Sequence, residues 1–100
     1  MGDFGIEITP AAIRDIDEAF DYISFHLENP QAAFDLTNEI YLRMQDLDCM
    51  PERFPVWKRE PFRSKGVRSF GVKNFNVFYT VDKERQCVSI IRVIYNRRNV

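Results

Sequence analysis

The stretch ITPAAIRDIDEAFDYISFHLENPQAAF, residues 8–34, decides the fold. It is punctuated twice by the same device, Thr9-Pro10 and Asn29-Pro30. Thr and Asn can each accept a bond from an early helical amide, and Pro at the first helical position gives up nothing. After the first pair, Ile13, Ile16, Phe20, Ile23 and Leu27 recur at steps of 3, 4, 3 and 4, one face of an α-helix. After the second, Ala33, Leu36, Ile40, Met44 and Leu47 recur at steps of 3, 4, 4 and 3. Met50-Pro51 closes that run, because proline disfavours helix in the residue before it. Two helices joined by one or two residues run antiparallel, so residues 10–49 are expected to form a helical hairpin.

Strand patterns flank the hairpin. Phe4–Ile8 alternates before it. Beyond it, Pro51, Pro55 and Pro61 mark an irregular connector that Phe54, Trp57 and Phe62 could pin down. Gly66–Val72 and Phe75–Val81 then read as strands, Asp82–Gln86 as a polar hairpin loop, and Cys87–Tyr95 as a third strand, apolar on most of both faces. The order β-α-α-β-β-β makes an α+β fold: an N-terminal strand, then a helical hairpin on a mainly antiparallel three-stranded sheet, in one domain over residues 1–100.

Composition narrows the class. A chain of 100 residues, 45% hydrophobic and 14% aromatic, is globular rather than disordered. No apolar run approaches the roughly 20 residues of a membrane span, and Met1-Gly2-Asp3-Phe4-Gly5 is not a secretory signal, so no membrane partner is expected. Cys49 and Cys87 make neither a disulfide framework nor a metal knuckle, which favours a cytoplasmic setting. A single histidine, His26, argues against a Ser-His-Asp triad or a two-histidine metal site. No glycine-rich turn joins a strand to a helix, and no cofactor or metal is expected.

The net charge of −1 conceals an asymmetry. Residues 1–50 hold two basic and eleven acidic residues, a balance of −9; residues 51–100 hold twelve basic and four acidic, a balance of +8. The basic half could meet nucleic acid, an acidic protein or the acidic half of another copy, or the two halves could face each other within one fold. Lys58, Arg59, Arg63, Lys65, Arg68 and Lys73 punctuate the connector and first sheet hairpin, while Arg92, Arg97 and Arg98 lie on and after the last strand. Arg92 interrupts an apolar strand. On a helix-covered face it needs an acidic partner; otherwise it marks a solvent-facing groove, or its stem snorkels beside the core.

The order of these pieces resembles the RelE/ParE superfamily of toxins from bacterial type II toxin–antitoxin pairs. The resemblance rests on Ile8-Thr9-Pro10-Ala11-Ala12 with Asp15-Ile16, Tyr22-Ile23, Asn29-Pro30 with Ala32-Ala33, and Leu47-Asp48-Cys49-Met50-Pro51. In the sheet it rests on Gly66-Val67-Arg68, on Val72–Val81 and on Ile91-Arg92-Val93-Ile94-Tyr95-Asn96-Arg97-Arg98. It implies a cognate antitoxin, growth arrest, a role in plasmid stabilization and one of two activities. The ParE branch poisons DNA gyrase by binding it; the RelE branch cleaves mRNA on the ribosome without metal. Asn76 stands where the nuclease branch carries a catalytic arginine, and Val67 and Ser69 fall near its catalytic lysines. A nuclease would have to draw on Arg68, Arg97, Arg98 and Tyr95, with Tyr79, Tyr95 or a lysine as base, since arginine stays protonated. The expectation is therefore a ParE-like gyrase inhibitor, with Arg68, Arg92, Arg97 and Arg98 as target-binding residues. The alternative is a RelE-like endonuclease acting on ribosome and mRNA.

Overall fold

A computed structural model describes residues 2–96. Strand β1 (Gly5–Ile8) leads into helix α1 (Pro10–Asp21), capped by the Thr9 hydroxyl, which accepts from the Ala12 N–H. The apolar stripe runs past the end of α1, but the backbone does not continue as α-helix. Tyr22–His26 widens into a π-helical turn in which the Leu27 N–H reaches the Tyr22 carbonyl at 3.2 Å. Helix α2 (Pro30–Gln45) starts at Asn29, whose side chain accepts from the Ala32 N–H, and tightens into a 3₁₀ turn at Asp46–Asp48.

Three strands follow, β2 (Arg68–Val72), β3 (Phe75–Asp82) and β4 (Cys87–Tyr95). The sheet has four strands in the order β1-β4-β3-β2, with β1 parallel to β4 and the other pairs antiparallel. The fold is thus α+β, and the N-terminal strand joins the same sheet.

The hairpin covers one sheet face. Ala12 and Ile16 of α1 and Leu36, Ile40 and Met44 of α2 close over Phe70, Val77, Tyr79, Val88, Ile90 and Val93. Burial of such side chains contributes roughly 1.5–3 kcal/mol each before chain entropy is charged against it. The stripe is not uniformly inward: Ile13 and Leu27 are exposed.

The connector covers the other face. Phe78 alternates with Val77 and Tyr79, so it points away from the hairpin. It is nonetheless buried, because Trp57 and Phe62 each bring a ring centroid to 5.0 Å from its own. Phe54 packs instead on Phe70, at 5.1 Å. All three connector aromatics therefore anchor it as the sequence suggested.

Candidate functional site

Strand β4 changes character along its length. Its first half, Cys87–Ile90, lies between β1 and β3. β1 ends at Ile8, opposite Ile90, and a bulge follows, since Phe78 pairs with Arg92 while Tyr79 pairs with Ile90. Beyond that bulge, among the described residues, no strand pairs with β4 on the side β1 has vacated.

Two residues of the hairpin cover the start of this edge. The Thr9 hydroxyl donates to the Ile90 carbonyl at 2.9 Å and is 3.3 Å from that of Ile91. Asp15 Oδ2 accepts the Val93 N–H at 2.9 Å and Arg92 Nε at 2.7 Å, while Oδ1 takes Arg92 Nη2 at 3.0 Å. Burial alone would raise the Asp15 carboxyl, but these hydrogen bonds and the guanidinium charge hold it below its ordinary value. Since the Val93 N–H faces the edge, so do the Val93 carbonyl and the N–H and carbonyl of Tyr95. The Asn96 N–H, one residue on, turns the other way to the Asn74 carbonyl at 2.6 Å.

Between this open edge and the hairpin runs a groove of about 800 Å³. Tyr22, Ile23 and Leu27 form one wall; Phe75, Ile94 and Tyr95 form the other. Tyr22, Leu27 and Tyr95 are each more than half exposed, at 55%, 56% and 53%. Phe75 and Tyr95 hold each other edge to face at 5.4 Å. Glu18 and Asp35 put negative charge on the helical rim, and Lys73 places positive charge on the sheet rim. An apolar slot beside an unpaired strand edge suits an extended or helical peptide, which could gain backbone bonds and side-chain pockets together.

Of the arginines singled out in the sequence, Arg68 and Arg92 do not share a patch. Arg68 Nη1 donates to the Phe54 carbonyl at 2.6 Å and the Glu52 carbonyl at 3.1 Å, with the Glu52 carboxylate 3.9 Å from Nη2. Arg92 is clamped by Asp15 at the opposite edge of the sheet, so the acidic partner its position called for exists. Arg97 and Arg98 lie outside the described residues. Among the described residues, Arg68 and Arg92 are thus bonded within the fold, as is Arg53, whose Nη1 donates to the Cys49 carbonyl at 2.7 Å.

A nuclease constellation is not assembled among the described residues. Tyr79 is fully buried, donates to the Pro51 carbonyl at 2.6 Å, and its phenol is pushed by burial up to about 12. Arg68 pairs with Tyr79 and Tyr95 with Phe75, which puts them a step of four residues apart along β3, about 13 Å. They cannot serve one phosphate. Among the described residues no group of three or more His, Cys, Asp or Glu side chains is placed to hold a metal ion, and no helix is long and apolar enough to cross a membrane.

Sequence reasoning pointed to a groove beside the helical hairpin but did not identify the residues that wall it. Leu27 and Tyr22 looked like helix residues, and only the overrun of the apolar stripe past the packed helix could have signalled a face needing another cover. Tyr95 was singled out as a possible base and proves to be a groove wall.

The fold is shared with solved structures. The chromosomal ParDE toxin–antitoxin system from P. aeruginosa superposes with a TM-score of 0.76 at 20% identity, over 94% of this chain and 97% of that one. The toxin–antitoxin complex RelBE2 from Mycobacterium tuberculosis gives 0.65 at 22% identity, over 95% and 93%. These show a common fold. No curated protein matches by sequence. The family model described as "ParE toxin of type II toxin-antitoxin system, parDE" matches residues 6–100. With that match over nearly its whole length, the chain belongs to the ParE toxin family of type II toxin–antitoxin systems.

Proposed function

We propose that this toxin acts in the cytoplasm by binding DNA gyrase without hydrolytic chemistry, and that a cognate antitoxin silences it by filling the groove beside β4. The observation that carries the reading is the pairing of an open strand edge at Val93–Tyr95 with an apolar slot walled by Tyr22, Leu27 and Tyr95. The separation of Arg68 from Tyr95 and the buried, protonated Tyr79 speak for binding rather than RNA cleavage.

Arg68 and Arg92 enter this reading as residues that hold the sheet edges in place. Target binding is assigned to Arg97 and Arg98 on their sequence position alone; replacing both with Ala relieves growth arrest if the assignment is right.

The test is a paired assay. The purified chain is added to gyrase supercoiling reactions and to ribosomes translating a defined message. Loss of supercoiling with intact message supports the proposal; cuts in the message with normal supercoiling discard it in favour of ribosome and mRNA as targets.

A further inference from the structure

Residues 57–67 form a closed loop on the sheet face opposite the helical hairpin. Its ends are tied by the Trp57 N–H to the Val67 carbonyl at 2.7 Å, and its middle by Val67 N–H to the Phe62 carbonyl at 3.0 Å and Arg63 N–H to the Arg59 carbonyl at 2.9 Å. Trp57 and Phe62 clamp it onto Phe78. The loop's other long side chains, Lys58, Arg59, Arg63 and Lys65, are all exposed.

The one acid in the loop, Glu60, is exposed, but its carboxylate is engaged by the loop itself. Glu60 accepts from the Ser64 N–H at 2.9 Å, from the Ser64 hydroxyl at 2.7 Å and from Arg63 Nε at 3.0 Å. Among the described residues Lys58, Arg59 and Lys65 form no salt bridge, so three cations on a braced loop face solvent without an acidic partner there. The acids of the hairpin lie across the sheet with its side-chain layers between, beyond the Debye length of about 8 Å at physiological salt. The local field is therefore positive although the whole chain carries −1.

We propose that this loop is a docking site for the phosphate backbone of duplex nucleic acid, DNA in the first place, independent of base sequence. One observation favours a phosphate ladder over the acidic helices of a second copy. The cations project from a short braced loop with no exposed apolar platform, because Trp57 and Phe62 are occupied by Phe78; a protein interface needs such a core, whereas backbone recognition does not. A contact between the basic face of one copy and the acidic face of the next would be head-to-tail and would build rings or open chains, an outcome the test below detects. The site is separate from the groove and from the gyrase reading.

The test measures fluorescence anisotropy of a labelled 20-base-pair DNA duplex with the full chain and no gyrase present, across salt. Each neutralised phosphate contributes a slope of about −0.9, so three give roughly −2.7 and an affinity loss of roughly 40-fold between 50 and 200 mM salt. Replacing Lys58, Arg59 and Lys65 together with Gln should weaken low-salt binding at least tenfold and flatten the slope, while Arg14→Gln on α1, the control, leaves both unchanged. Circular dichroism confirms that both variants fold. A duplex RNA of the same length separates the sources: equal or weaker binding than DNA fits the proposal, and binding of RNA alone overturns it. A salt-independent signal, no binding at low salt, an unchanged triple variant, or growth of oligomers in place of DNA binding overturns it as well.

Discussion

Asp15 and Arg92, 77 positions apart in the chain, are joined by two hydrogen bonds of 2.7 and 3.0 Å, and the same carboxylate holds the Val93 N–H. The pair ties α1 to the strand where β1 has ended. The Asp15 side chain is 12% exposed and that of Arg92 46%, so the two partners are unequal. Asp15→Ala strands a guanidinium and a backbone donor together and should lower stability by about 2–3 kcal/mol. Arg92→Ala leaves the carboxylate its Val93 bond and should cost distinctly less. Urea midpoints decide it; equal losses would contradict the asymmetry.

The same clamp sets an acid dependence. Asp15 titrates below its ordinary 3.8 in the folded chain, so the unfolded state binds the proton more tightly. Its contribution is fully present above that ordinary value and fades as pH falls through the lower folded value. The stability gap between the wild type and Asp15→Asn should hold from neutral pH down to about pH 5 and shrink steadily below about pH 4. A gap that stays constant into acid would show that the carboxylate charge contributes nothing.

Groove residues should separate partner binding from folding. Leu27→Glu adds charge to an exposed wall that already faces Glu18 and Asp35, and it removes no core contact. Thermal stability should stay within about 0.5 kcal/mol of wild type. Capture of the coexpressed cognate antitoxin, read by titration calorimetry, should weaken by at least tenfold. A variant that binds as tightly as wild type would remove the groove from the antitoxin interface.

Tyr79→Phe tests the buried phenol. The change leaves the Pro51 carbonyl without its donor and should cost about 1–2 kcal/mol in chemical denaturation. Toxicity should not change once folded protein levels are matched. A loss of activity with stability intact would return Tyr79 to the list of reacting groups.

The elements themselves were legible because short-range chemistry dictates them. Thr9 and Asn29 cap their helices through their own side chains, and Cys87–Tyr95 needed no distant information to be read as a strand. The π-helical turn at Tyr22–His26 was not legible, since its apolar spacing is still helical and only the bond from Leu27 to Tyr22 distinguishes it. The arginines were harder still. Arg68 and Lys65 sit three apart and look alike in sequence, yet one is folded over backbone carbonyls and the other is free in solvent. Which carbonyls come within reach depends on the path of the connector, and no local pattern encodes that path. Arg92 shows the middle case: its misfit in an apolar strand announced a need for an acid, but only the crossing of α1 over β4 selects Asp15.

The chain's single tryptophan, Trp57, packs edge to face on Phe78 behind the sheet, outside the cluster that the helices cover. Its emission is therefore an optical probe of the connector and says little about the helical layer. Fluorescence melts will follow detachment of this small rear packing unit, and far-ultraviolet ellipticity will follow the helices. Where the two curves part, the loop is lifting off a molecule that is otherwise still intact.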